Sequence, residues 1–166
     1  MITRPIGRDF APQELINFVK RLSWRDDLWG HLVCHDASSR QYEQVFRDEH
    51  LAVWLIGWMK GQDTGFHDHD LSYGAVTVVS GELIEERLTL AGEPARNHYC
   101  AGDAFSVSAS DIHRVTHEGS TPAVSLHAYS PPLWRMGAYV IEPDGKLSRE
   151  SISYAEELRP LEAGRA

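Results

Sequence analysis

Gly61-Gln-Asp-Thr-Gly-Phe-His67-Asp68-His69-Asp-Leu-Ser-Tyr-Gly74-Ala-Val-Thr-Val-Val-Ser-Gly81 is the stretch from which the rest of the chain can be read. Side chains alternate with period two along an extended strand, so His67 and His69 lie on one face and both imidazoles can reach a single ion. The glycines on either side read as turns, and the β-branched run that follows Tyr73 reads as a strand. The competing reading is a polar surface loop, because Asp63, Asp68 and Asp70 make the neighbourhood hydrophilic. What decides between them is whether the remaining sequence supplies a barrel and a further ligand.

The 166 residues are enough for one domain with a substantial core, and the chain reads as a single domain over 1–166. With 42% hydrophobic and 24% charged residues, the composition argues against long disorder and against a fibre. A net charge of −8 points to an acidic, solubilising surface, and no nucleic-acid partner is expected. Cys34 and Cys100 form no C-x-x-C pattern, so neither a disulfide scaffold nor a thiolate zinc site is indicated. The opening Met-Ile-Thr-Arg-Pro-Ile-Gly-Arg-Asp-Phe lacks the apolar core of a signal peptide, and no run of about 18 apolar residues occurs. The expectation is a cytoplasmic protein with no membrane partner, monomeric or weakly dimeric.

Pro12 to Trp24 predicts an amphipathic helix, with Leu15, Phe18, Val19 and Leu22 on one stripe and a proline in the first turn. It belongs to a helical segment over 1–30 that packs on the rest. From about His31 the pattern changes to short runs rich in Val, Tyr, Trp and Thr separated by turn residues. Candidate strands are 41–47, 51–58, 73–79, 82–90, 97–100, 104–108, 113–116, 123–130 and 138–142. Strands at this density predict an all-β antiparallel barrel or jelly roll. The charged tail from Arg149 to Ala166 is expected to be loose or partly helical.

Further ligands lie downstream. In Gly102-Asp-Ala-Phe-Ser-Val-Ser-Ala-Ser-Asp-Ile-His113-Arg-Val-Thr-His117, a barrel can fold the turn before His113 back onto the first pair. Three imidazoles with no cysteine suit iron, zinc, copper or nickel rather than calcium or magnesium. His117 lies roughly 13 Å further along an extended strand at about 3.3 Å per residue, so it is left out of the ligand set. Ser125, His127 and Tyr129 share one parity, which places a hydroxyl, an imidazole and a phenol in a row. Such a row forms a hydrogen-bond chain in which Ser125 orients His127 and His127 fixes the phenol's proton. A fourth-ligand role for His127 stays open at this point.

These residues resemble a known pattern. Gly61-x5-His67-x-His69 with Gly81, then Gly102-x10-His113, is similar to the paired motifs of the cupin superfamily. Within it the chain resembles the thiol dioxygenases of the cysteine dioxygenase type. The narrower likeness rests on Trp58 with His67-Asp68-His69, on Ile112-His113-Arg114-Val115, and on Val124-Ser-Leu-His-Ala-Tyr-Ser-Pro-Pro132. It implies a cupin jelly-roll barrel, a ferrous ion held by His67, His69 and His113, and oxidation of a small thiol by O2 to a sulfinic acid. L-cysteine is the first substrate implied, with 3-mercaptopropionate or cysteamine as alternatives. Outside catalysis, the alternative is a cupin that only binds a metal or ligand.

The resemblance also assigns roles. Gly74 stands where many cupins hold a metal-binding glutamate and where animal cysteine dioxygenases hold a cysteine cross-linked to the tyrosine matching Tyr129. A three-histidine site with a free Tyr129 phenol follows. Tyr129, His127 and Ser125 are the implied catalytic residues, and Tyr129 and His127 also face the substrate. Arg40 matches the arginine that binds the substrate carboxylate, with Gln41 as its neighbour and Arg47 and Arg87 as weaker competitors. A cis Ser130–Pro131 bond is implied as well.

Overall fold

The computed structural model describes residues 4–90, 92–156, 158, 160 and 161. Helix α1 spans Pro12–Ser23, followed by one turn of helix, α2, at Asp26–Trp29 and a 3-10 turn at Gly30–Leu32. Eleven strands follow among the described residues: β1 Gln41–Arg47, β2 Ala52–Trp58, β3 Phe66–Asp68, β4 Tyr73–Ser80, β5 Glu82–Arg87, β6 Ala95–Cys100, β7 Ala104–Val107, β8 His113–Thr116, β9 Ala123–Ser130, β10 Arg135–Ile141 and β11 Leu147–Ser153. They form two sheets in the orders β1-β2-β9-β4-β7 and β11-β10-β3-β8-β5-β6. The spacing of turn signals foretold this all-β architecture.

Helix α1 forms where the sequence predicts. Pro12 occupies the first turn, where its missing N–H costs nothing, and Glu14 accepts the otherwise orphaned Ala11 N–H at 2.9 Å. Its buried stripe, Leu15, Phe18, Val19 and Leu22, packs on the outward face of the first sheet, against Val53, Leu55, Val124, Leu126 and Ala128. The inward side chains of the same strands meet the second sheet in another cluster, which joins Trp58, Val76, Val78, Phe105 and Val107 to Leu83 and Val115. β9 is therefore buried on both faces along all eight residues. Its even-numbered positions serve the helix and its odd-numbered ones, Ser125, His127 and Tyr129, point into the barrel.

One expectation is corrected. The tail beginning at Arg149 is not loose where it is described: Leu147–Ser153 is a strand, paired along its length with β10. Its polar, exposed sequence hides the signal, because an edge strand on a solvated sheet has little apolar alternation to show. Of the rest of the expected tail, residues 157, 159 and 162–166 lie outside the described residues, as do residues 1–3 of the helical segment and residue 91. No helix among the described residues is long and apolar enough to cross a membrane.

Candidate metal centre

β3 is three residues long and is held on both sides. His67 pairs in register with His113 of β8 and with Ala138 of β10. The strand ends at Asp68, so His69 lies one residue beyond it, ahead of a turn in which Asp70 takes φ +55. The three imidazoles nonetheless converge. Their ring centroids lie 4.4 to 5.1 Å apart, and one nitrogen of each falls within 4.8 Å of the others. All three residues are buried.

The nitrogens facing the common point can be identified. His67 Nδ1 lies 3.0 Å from the Gly65 carbonyl and donates to it, which leaves the Nε2 lone pair inward. His69 and His113 approach each other through Nε2 at 3.4 Å, with Nδ1 turned away. Burial disfavours the imidazolium, so His67 is pushed down to about 4 and His69 and His113 well below the usual histidine range. Neutral imidazoles with converging lone pairs and no carboxylate or thiolate among them fit a borderline transition-metal ion. His127 is not part of this group: its Nε2 meets Ser125 and its Nδ1 faces Tyr129, so the fourth-ligand alternative has no support. His117 is buried elsewhere, with its ring nitrogens 2.8 Å from the Glu82 and Thr121 carbonyls.

A clamp fixes the residue between the two histidines. Asp68 accepts from Arg149 Nε at 2.9 Å and Nη2 at 3.1 Å, from Tyr139 Oη at 2.6 Å, and from the N–H groups of Gly137 and Asp70. Burial opposes its ionisation, but these five donors outweigh burial and hold the carboxylate far below its ordinary range. Because Asp68 points away from its neighbours on the strand, tying it to β10 and β11 turns His67 and His69 toward the interior. In the sequence Asp68 marks only a hydrophilic neighbourhood; no local signal reveals partners 71 and 81 residues away.

On β9 the expected row of polar groups is present. Ser125 Oγ lies 2.8 Å from His127 Nε2, and Tyr129 Oη lies 3.4 Å from His127 Nδ1. Trp58 adds a start to the chain: its indole N–H donates to Ser125 Oγ at 2.9 Å. An indole can only donate, so Ser125 receives one hydrogen there and has its own to give to His127 Nε2. When Ser125 gives that hydrogen, the His127 proton sits on Nδ1, facing Tyr129 Oη, and the phenol's hydrogen points elsewhere. Burial lowers His127 to about 3 and raises Tyr129, so both stay neutral. The Tyr129 ring packs edge-on against His69 at 4.9 Å. Gly74 makes room for both: a Cβ there would lie 3.3 Å from the His69 ring and from Tyr129 Cε1.

Tyr129 also lines a small cleft of about 60 Å³, open to solvent, whose walls include Arg40, Tyr42, Trp54, Met136 and Tyr154. Arg40 is buried, its Nη1 donating to the Asp63 carbonyl at 3.0 Å and its Nη2 to the Leu158 carbonyl at 2.6 Å, with the guanidinium 5.1 Å from the Trp58 ring. Gln41 instead turns back on Ser39. Arg47 reaches the Leu133 carbonyl, and Arg87 is engaged by Glu85 and Asp111, so neither competitor lines the cleft. The Ser130–Pro131 bond is cis, as the resemblance implies.

Comparison with known proteins agrees with this geometry. A family model described as cysteine dioxygenase type I matches residues 12–141. The chain is 29% identical to cysteine dioxygenase type 1 of Rattus norvegicus over 91 residues, 48% of this chain and 44% of that protein, so it spans less than half the length of such relatives. Among solved structures, a protein from Klebsiella pneumoniae with a double-stranded β-helix domain superposes with TM-score 0.55 at 17% identity, covering 72% of this chain and 91% of that one. A cupin superfamily protein from Desulfitobacterium hafniense gives TM-score 0.53 at 12% identity, over 62% and 87%. At these identities the structures show the fold alone, a cupin barrel.

Proposed function

The chain belongs to the cysteine dioxygenase type I family, and from that premise we propose that it is a non-haem iron(II) thiol dioxygenase. It adds both atoms of O2 to a small thiol, L-cysteine first, in the balanced conversion of R–SH and O2 to the sulfinic acid R–SO2H. The observation that carries this reading is the cluster of three buried, neutral histidines with the Tyr129 phenol packed against one of them. His67, His69 and His113 would hold the ion through Nε2. Such an ion, when bound, supplies the positive charge that ionises a coordinated thiol and the redox chemistry that dioxygen requires.

The rest is the work of this chain's side chains. Arg40 would meet the substrate carboxylate as a fork, its plane set by two main-chain carbonyls. With Ser125 accepting from Trp58 and donating to His127, Tyr129 would be the donor at the end of the chain, its hydroxyl stabilising negative charge that develops beside the His69 ring. Ser125 and His127 act by holding that proton in place. The buried surroundings of the histidines keep bulk water from the reacting groups.

Oxygen consumption by iron-loaded protein with L-cysteine, 3-mercaptopropionate and cysteamine tests the reading. Turnover of L-cysteine with formation of its sulfinate is expected; a preference for either other thiol would change the substrate but keep the chemistry, and no oxidation of any would leave a binding protein. Arg40→Ala is expected to raise KM for L-cysteine about tenfold or more, as loss of a charged hydrogen bond does. An unchanged KM would remove Arg40 from the substrate site.

A further inference from the structure

Behind His113 lies a charged cluster that the reading above leaves without a task. Glu85 of β5 is fully buried. Its Oε1 is 3.4 Å from His113 Nδ1, a nitrogen that no hydrogen-bond partner satisfies. Burying a carboxylate costs several kcal/mol unless it is paired, so its neighbours need an explanation. Arg87 grips Oε1 with Nε at 3.0 Å and Nη2 at 2.5 Å. Asn97 of β6 approaches Oε2 at 3.4 Å. Arg87 in turn donates through Nη1 to Asp111 at 3.0 Å, and Asp111 accepts the Ser108 N–H at 2.8 Å, closing the turn that delivers His113. Arg87 and His113 face each other in register on β5 and β8.

The direction of this chain has a consequence. Paired with the Arg87 guanidinium, Glu85 faces His113 as an acceptor, and the polar atom of His113 turned toward it is Nδ1. A proton on Nδ1 would face that acceptor and leave the Nε2 lone pair aimed at His69 and His67. We propose that Glu85 is the positioning residue of the metal centre: it selects the His113 tautomer, orients the ring and, as an anion at the back of an otherwise uncharged ligand set, strengthens Nε2 as a donor. This rests on the reading of His67, His69 and His113 as metal ligands. His67 Nδ1 instead meets the Gly65 carbonyl, a neutral acceptor, whereas His113 Nδ1 faces a carboxylate oxygen.

The test is metal affinity measured directly, with Co(II) and with anaerobic Fe(II), by competition against a chelator on metal-free protein. Glu85→Gln, which keeps an acceptor but removes the charge, is expected to weaken Co(II) binding about 10- to 100-fold. It should also shift the visible ligand-field bands of the Co(II) protein, which a merely structural loss would leave in place. Glu85→Asp keeps the charge but withdraws the oxygen, and should fall between Glu85→Gln and the unaltered protein. If the unaltered protein binds neither ion, the metal-centre reading itself fails. If it binds and Glu85→Gln matches it within twofold with the same bands, the role of Glu85 is overturned. Should Glu85→Gln not fold, Glu85→Asp decides alone, and an unchanged affinity overturns the proposal.

Discussion

An indole nitrogen can donate a hydrogen bond but never accept one, and at Trp58 this chemical asymmetry makes Ser125 an acceptor at the head of the row that runs through His127 to Tyr129. Tyr129→Phe deletes the final donor while keeping the ring that packs on His69. Turnover is expected to fall roughly 100-fold, with iron content within error of the unaltered protein by elemental analysis; loss of iron would make Tyr129 a structural residue. Gly74→Ala adds one carbon 3.3 Å from both His69 and Tyr129. Crowding at that distance should cost about 1 kcal/mol in urea unfolding, and an unchanged midpoint would show that the two rings can retreat freely. The histidines were legible in the sequence because each sits in a short motif, and Ser125, His127 and Tyr129 because period two puts them on one face. Glu85 was not: it looks like any charged residue in Glu82-Leu-Ile-Glu-Glu-Arg87, and only the register of β5 against β8 brings it to His113.

Among the elements, β9 and β3 are opposites. β9 is long and wholly buried, and its period-two placing of Ser125, His127 and Tyr129 on one face is legible in the sequence. β3 has three residues and too little sequence to declare itself, so its conformation is set by β8, β10 and the Asp68 clamp. Arg149 is the one cation in that clamp and comes from β11, the strand hidden by its polar sequence. Arg149→Ala leaves Asp68 with Tyr139 and two N–H donors, and should cost about 1–2 kcal/mol of stability. Hydrogen exchange should quicken in 66–68 and 147–153 while α1 keeps its protection. Equal exchange everywhere would mean that strand pairing, not the ion pair, holds β3. Helix α1 needed no such context, because its apolar stripe is local and periodic.

At the scale of the whole molecule, the buried histidines make folding sensitive to acid. His67, His69, His113 and His127 are all held below the ordinary value of 6.5, so the folded protein keeps them neutral while the unfolded chain takes up protons below that pH. More protons bound by the unfolded state means stability that falls as pH falls. For His67 this loss runs from about 6.5 to about 4, at a slope approaching about 1.4 kcal/mol per pH unit for each such group. The urea midpoint of metal-free protein should therefore drop steadily from pH 7 to pH 5; a flat profile would mean that water reaches the imidazoles. Much of this architecture follows from alternation and turn spacing, whereas what orients the site comes from charges that meet only when distant strands pair. The Asp68–Arg149 contact carries this into time: during synthesis His67 and His69 leave the ribosome some eighty residues before the arginine that steadies them. The candidate metal pocket thus becomes complete only once residue 149 has been made, and an ion taken up there would be held firmly only after that point.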